Sequence, residues 1–224
     1  MIVLSNDGKF LSMLTSGFDL SAEAIVLRLE SFHRTQRNHP TAEFPQLTDF
    51  IQETPRPAAV LIPLLQHDNN WHILYTRRNA DLPEHSGQVA FPGGRADPGD
   101  ASPELTALRE AWEEIGLNPA DVTVLGRLND FITVTNYLVT PIIGQIPWPY
   151  PLKLARNEVS RVFTIPLSWL AEPQNHEVRL RQLPQPYKPV SVIYFREYEG
   201  EVLWGASARF TLAFLEIIKS FESP

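Results

Sequence analysis

Apolar runs bounded by polar turns mark strands on either side of one sharply punctuated helix. Ala58 to Leu65 and His72 to Thr76 predict two strands joined by the turn HDNN. Val122 to Leu128, Tyr137 to Ile146, Val159 to Ile165, Val190 to Phe195 and Val202 to Trp204 predict five more. Helices are expected at Pro103 to Ile115, at Leu167 to Ala171 and at Ala206 to Phe221, where Phe210, Phe214, Ile217 and Phe221 recur at helical spacing. Upstream, Ile2 to Leu4 and Phe10 to Leu14 flank SNDGK as a hairpin would. Asp19 or Ser21 can cap a helix running to about Arg34, with Ile25, Leu29 and Phe32 on one face. Pro40 to Pro57, with a short helical stretch near Leu47 to Gln52, reads as a boundary. The expected organisation is an extension over residues 1–57 and a main α/β domain over 58–224.

The 224-residue length suits one sizeable domain plus an extension, and 43% hydrophobic with 20% charged residues is ordinary for a globular chain. A net charge of -7 argues against nucleic acid or an anionic membrane as partner. Any polyanionic substrate would then need local cations or metal ions. The absence of cysteine removes disulfides and thiolate chemistry, and agrees with a cytoplasmic location. The first fourteen residues lack a basic start and an unbroken apolar run, so a secretory leader is not expected. No stretch of about 18 apolar residues suggests a membrane span. Oligomeric state is open, a homodimer being one option.

The helix at Pro103 to Ile115 has Ser102 as N-cap, proline at its first position and Gly116 as its stop. At about 100° per residue, Leu105, Leu108, Trp112 and Ile115 form an apolar stripe, with Arg109, Glu110, Glu113 and Glu114 roughly opposite. Glu110 stands three residues before Glu113 and four before Glu114, and like charges so placed cost roughly 0.2–0.5 kcal/mol a pair. A purely solvated face would more often interleave lysine. Three carboxylates on one face suit Mg²⁺ or Mn²⁺, hard ions that keep waters and substrate phosphate oxygens in their shell. Such an ion can acidify a water for attack on a diphosphate. The preceding Gly93 and Gly94 allow a sharp turn and close backbone approach.

Residues 109–117, REAWEEIGL, closely match the second half of the Nudix hydrolase signature, and the chain resembles that family. The first half departs. Counting from Gly94, the acid position is Asp100, and eight residues rather than seven separate it from Arg109. That longer loop, with Pro92-Gly93-Gly94, Asp97, Asp100 and ALREAWEE, is similar to the Nudix subgroup acting on coenzyme A. The upstream stretch LYTRRNADLPEHSGQVAFPGG, from Leu74 to Gly94, also resembles that subgroup, with Thr76, Arg78, Gly87 and FPGG in register. Asn79 replaces a small residue and Pro83 an arginine.

The resemblance implies an α/β/α sandwich with a mixed sheet and an N-terminal helical extension. It implies Mg²⁺ or Mn²⁺ held by Glu110, Glu113 and Glu114, one of which takes a proton from the attacking water. Arg109 would orient these carboxylates, and Glu158 is the candidate for a further acid supplied by a loop. Arg77, Arg78, His85 and Arg95 are candidate substrate cations beside the Gly93-Gly94 turn, and Phe131, Thr135 and Tyr137 candidate pocket residues. Asp97 and Asp100 fit loop-stabilising turn positions. The expected substrate is coenzyme A or an acyl-coenzyme A. ADP-ribose, another nucleoside diphosphate derivative or a nucleoside triphosphate is the alternative, and a non-catalytic nucleotide-binding module a third reading that the intact carboxylate set disfavours.

Overall fold

A computed structural model describes residues 20–35, 40–42, 54–83, 85–183 and 189–219. The expected hairpin in the first fourteen residues and the helical stretch near residue 47 lie outside them. The centre of the molecule is β2 (Arg56–His67), parallel to β8 (Tyr137–Gln145) and antiparallel to β3 (Asn70–Arg78). Toward its start, β2 also pairs with the short β5 (Gly93–Arg95). β6 (Thr123–Arg127) and β7 (Phe131–Ile132) pair with β8, while β4 (Val89–Ala90) and β9 (Val159–Pro166) pair with β3. With β1 (Thr41–Ala42) beside β7, the mixed sheet has nine strands among the described residues. β10 (His176–Arg181) and β11 (Val190–Phe195) form a separate antiparallel ribbon.

Alternation along β2 and β3 divides the core in two. Ala59, Leu61, Leu65 and Leu74 pack against α2 (Pro103–Ile115) through Ala107, Ala111 and Ile115. Ile62, Leu64, Ile73 and Tyr75 face α1 (Ala22–Thr35), α3 (Leu167–Ala171) and α4 (Gly205–Lys219), through residues such as Ile25, Leu29, Leu170 and Phe214. The result is an α/β/α sandwich, with α1 sharing the sheet's core. Ser21 caps α1, accepting from the Ala24 N–H.

Three expectations change. The apolar stripe on α2 is rotated: Leu105 and Trp112 are 50% and 53% exposed, whereas Ala107, Ala111 and Glu114 face inward. Small side chains let the helix approach β2 and β5 closely, and the inward glutamate finds a backbone donor there. Val202 to Trp204 forms no strand, only isolated bridges at Glu201 and Trp204. β10 went unread because its apolar members, Val178 and Leu180, are 63% and 71% exposed and belong to no core.

Candidate active site

The loop into α2 is organised by one arginine. Arg109 donates from Nε and Nη2 to Asp100, and its Nη2 also bonds the Arg95 carbonyl at 3.0 Å. Its Nη1 lies 3.0 Å from both Glu110 Oε1 and Glu113 Oε2. Asp100 accepts in addition from the Asp97 N–H and the Thr106 hydroxyl. The Arg109 guanidinium and the Asp97 N–H hold the Asp100 carboxyl down to about 2. The extra loop residue thus sits in a turn closed on itself by Asp100, which carries the arginine that orients two helix glutamates. Ser102 and Gly116 cap the helix as expected, Gly116 at a φ of 69°.

The two glycines serve different neighbours. A Cβ on Gly93 would lie 2.5 Å from the Ala59 carbonyl oxygen and 2.6 Å from Val60 Cα, so glycine lets β5 close on β2. A Cβ on Gly94 would lie 2.5 Å from Glu110 Oε1 and 2.7 Å from Oε2, so its absence lets that carboxylate rest against the backbone.

Glu114 is 4% exposed and accepts a hydrogen bond from the Gly93 N–H. Burial first, then the charge of Glu110, pushes its carboxyl up to about 8, while Arg78 and the Gly93 N–H pull the other way. Burial also raises Glu110, against the pull of Arg109. Glu158 adds negative charge to both. It reaches them because its loop is pinned to the end of α2, by Lys153 N–H to the Ile115 carbonyl and Ala155 N–H to the Glu114 carbonyl, both 2.9 Å. Asn79 pins the same loop to the end of β3, its N–H bonding the Glu158 carbonyl and its side-chain amide the Arg156 carbonyl.

Among the basic candidates, strand alternation sends Arg78 toward Glu114 and Arg77 to the opposite face. Arg77 is not brought to the carboxylates: its Nη1 pairs at 3.0 Å with Glu201, a 3%-exposed carboxylate that Arg161 also binds. Among the described residues the buried Nε of Arg78 has no hydrogen-bond partner. Arg78, His85, Arg95, Gly93 and Gly94 all line a cavity of about 910 Å³. Thr135 and Tyr137 line it too, whereas Phe131 packs edge-on against Phe210 and is buried. Sequence reading gave no pocket role to Arg181, Val190, Val192 and Trp204, which also line the cavity and reach it only through the fold.

The NUDIX domain model matches residues 54–186. The chain belongs to the Nudix family. It is similar to the Nudix hydrolase NudL of Photorhabdus laumondii, 40% identical over 159 residues that cover 70% of this chain and 82% of that one. It is likewise 39% identical over 154 residues to NudL of Escherichia coli K12, covering 68% of this chain and 78% of the relative. This Nudix protein is accordingly a pyrophosphohydrolase of small nucleotide derivatives, a family chemistry that uses divalent metal ions.

The residues present fit such an ion. Glu110, Glu114 and Glu158 offer hard oxygen donors, and the charges of Glu110 and Glu158 raise the proton affinity of Glu114, the condition a divalent cation relieves. Among the described residues no three acidic or histidine side chains already converge as a cage, since Glu110 and Glu113 are turned to Arg109. Also among the described residues, no helix is long and apolar enough to cross a membrane.

Proposed function

We propose that this Nudix enzyme hydrolyses the diphosphate bond of coenzyme A and its acyl thioesters with Mg²⁺ or Mn²⁺. The products are adenosine 3′,5′-bisphosphate and 4′-phosphopantetheine or its acyl derivative. The observation that carries the reading is the charge pattern of the cavity. Three arginines and one histidine line it and none of the described lining residues is acidic, in a chain of net charge -7. Such a cavity suits a ligand with more than one phosphate group. Its remaining wall, with Val139, Val192 and Phe210, suits an apolar pantetheine or acyl arm. The longer PGG loop, with Asp97 and Asp100, supports the same substrate through its resemblance to the coenzyme A subgroup.

Glu110, Glu114 and Glu158 would hold the metal, with Glu113 joining when Arg109 releases it. When bound, the ion neutralises diphosphate oxygens and activates a water. Arg109 keeps Glu110 placed against Gly94, and one carboxylate of the set takes the proton of the attacking water. Arg78 and Arg95 orient the diphosphate across the Gly93-Gly94 backbone. Pro83, standing where the subgroup's motif has arginine, favours the second reading: the same site acting on ADP-ribose or another nucleoside diphosphate derivative. Chromatography of the products from coenzyme A, acyl-coenzyme A, ADP-ribose and nucleoside triphosphates, each with Mg²⁺ or Mn²⁺, separates the two. Adenosine 3′,5′-bisphosphate released from coenzyme A is expected, and turnover of ADP-ribose alone selects the alternative.

A further inference from the structure

The β10–β11 ribbon carries an aromatic and cationic ladder on one face. Tyr194 and Trp204 stack with ring centroids 5.5 Å apart and planes within 4° of parallel. The Arg179 guanidinium lies 4.6 Å from the Tyr194 centroid and that of Arg181 lies 5.9 Å from the Trp204 centroid. Two strand positions apart, the two arginines share a face but not an environment. Arg179 is neutralised by Glu177 at 2.6 Å and lies outside the cavity lining. Arg181 lines the cavity with Trp204, and among the described residues no carboxylate pairs with it.

We infer that Arg181 is a specificity-determining residue, binding a phosphate group of the substrate remote from the scissile diphosphate. The inference rests on the substrate reading above and adds to it the group that recognises the 3′-phosphate. Arg78 and Arg95 belong to the strand ends beside the carboxylates, where the scissile bond must lie. Arg181 belongs to a different sheet from Arg78 and Arg95 yet lines the same cavity, so it can meet a second anion. Trp204 stands within cation–π range of the guanidinium, a contact that does not consume its N–H donors. Pro83 removes a cation expected on the loop between β3 and β4. Arg181 restores one from the other side.

The test compares coenzyme A with 3′-dephospho-coenzyme A. Arg181→Ala is expected to raise KM for coenzyme A on the order of tenfold, the loss of one charge-assisted contact, with kcat kept and KM for the dephospho form unchanged. Arg181→Lys should fall between. Calorimetry with adenosine 3′,5′-bisphosphate and AMP gives a second readout, in which the substitution weakens only the bisphosphate. Equal effects on both members of either pair, or none, overturn the inference. Hydrolysis of neither coenzyme form by the unaltered protein contradicts the substrate reading alone, and the calorimetry then still decides the role of Arg181.

Discussion

Arg109 and Asp100, nine positions apart, meet in a fork of hydrogen bonds at 3.0 to 3.3 Å, and the loop into α2 and the start of that helix are built around the pair. Arg109 spends its remaining donors on Glu110, Glu113 and the Arg95 carbonyl. Removing the aspartate carboxylate therefore takes the partner of Nε and one partner of Nη2 from a part-buried guanidinium.

Asp100→Asn is expected to lower unfolding free energy by about 1–3 kcal/mol, the range for a broken buried charge-assisted bond. The loss depends on pH. Asp100 is held at about 2 in the fold, below its ordinary 3.8, so its contribution is present above the unfolded value and fades as pH falls through the folded one. Denaturation of wild type and variant at neutral pH should differ, and the gap should narrow below about pH 4 and close below about pH 2. A gap that persists there would refute the pairing as its source.

Gly93→Ala and Gly94→Ala should separate folding from activity. The first drives a Cβ into the backbone of Ala59 and Val60, and a thermal melt should fall steeply. The second meets only the mobile end of Glu110, so the fold should survive while kcat drops. Equal melting temperatures for the two variants would show that the backbone contact at Gly93 is not tight.

Glu114→Gln tests the proposed metal ligation without an activity assay. Saturating Mg²⁺ or Mn²⁺ at about a hundred times its Kd should stabilise the wild type by roughly 2.7 kcal/mol. The variant should lose most of that gain, and with it turnover. An undiminished metal-induced shift in melting temperature would remove Glu114 from the ligand set.

The rotated face of α2 makes its own test. Ala111→Leu overpacks the helix against β2 and β5 and should cost about 1–3 kcal/mol. Trp112→Ala, on the exposed face, should stay within about 0.5 kcal/mol. The reverse order in urea denaturation would restore the stripe expected from periodicity.

That stripe marks where sequence legibility ended. Capping by Ser102 and Gly116, the spacing of Glu110, Glu113 and Glu114, and the strand at Ala58 to Leu65 all follow local rules and could be read directly. The inward face of α2 could not. Leu105 and Trp112 outweigh Ala107 and Ala111 in any count of apolar surface, but the helix turns to let Glu114 reach the Gly93 N–H. Arg77 and Arg78 look alike in sequence, and only pairing of the sheet assigns one to Glu201 and the other to the cavity. Arg181 and Trp204 were silent for a similar reason: a two-stranded ribbon outside the main sheet carries Arg181 to the cavity, and Trp204 joins it through a bridge to Tyr194.

The central claim is tested most directly by kcat/KM for coenzyme A against kcat/KM for ADP-ribose, measured side by side with saturating Mg²⁺ or Mn²⁺. A ratio above about ten in favour of coenzyme A is expected, the discrimination that polar contacts to one substrate group readily supply. Rapid hydrolysis of ADP-ribose with none of coenzyme A would contradict the account.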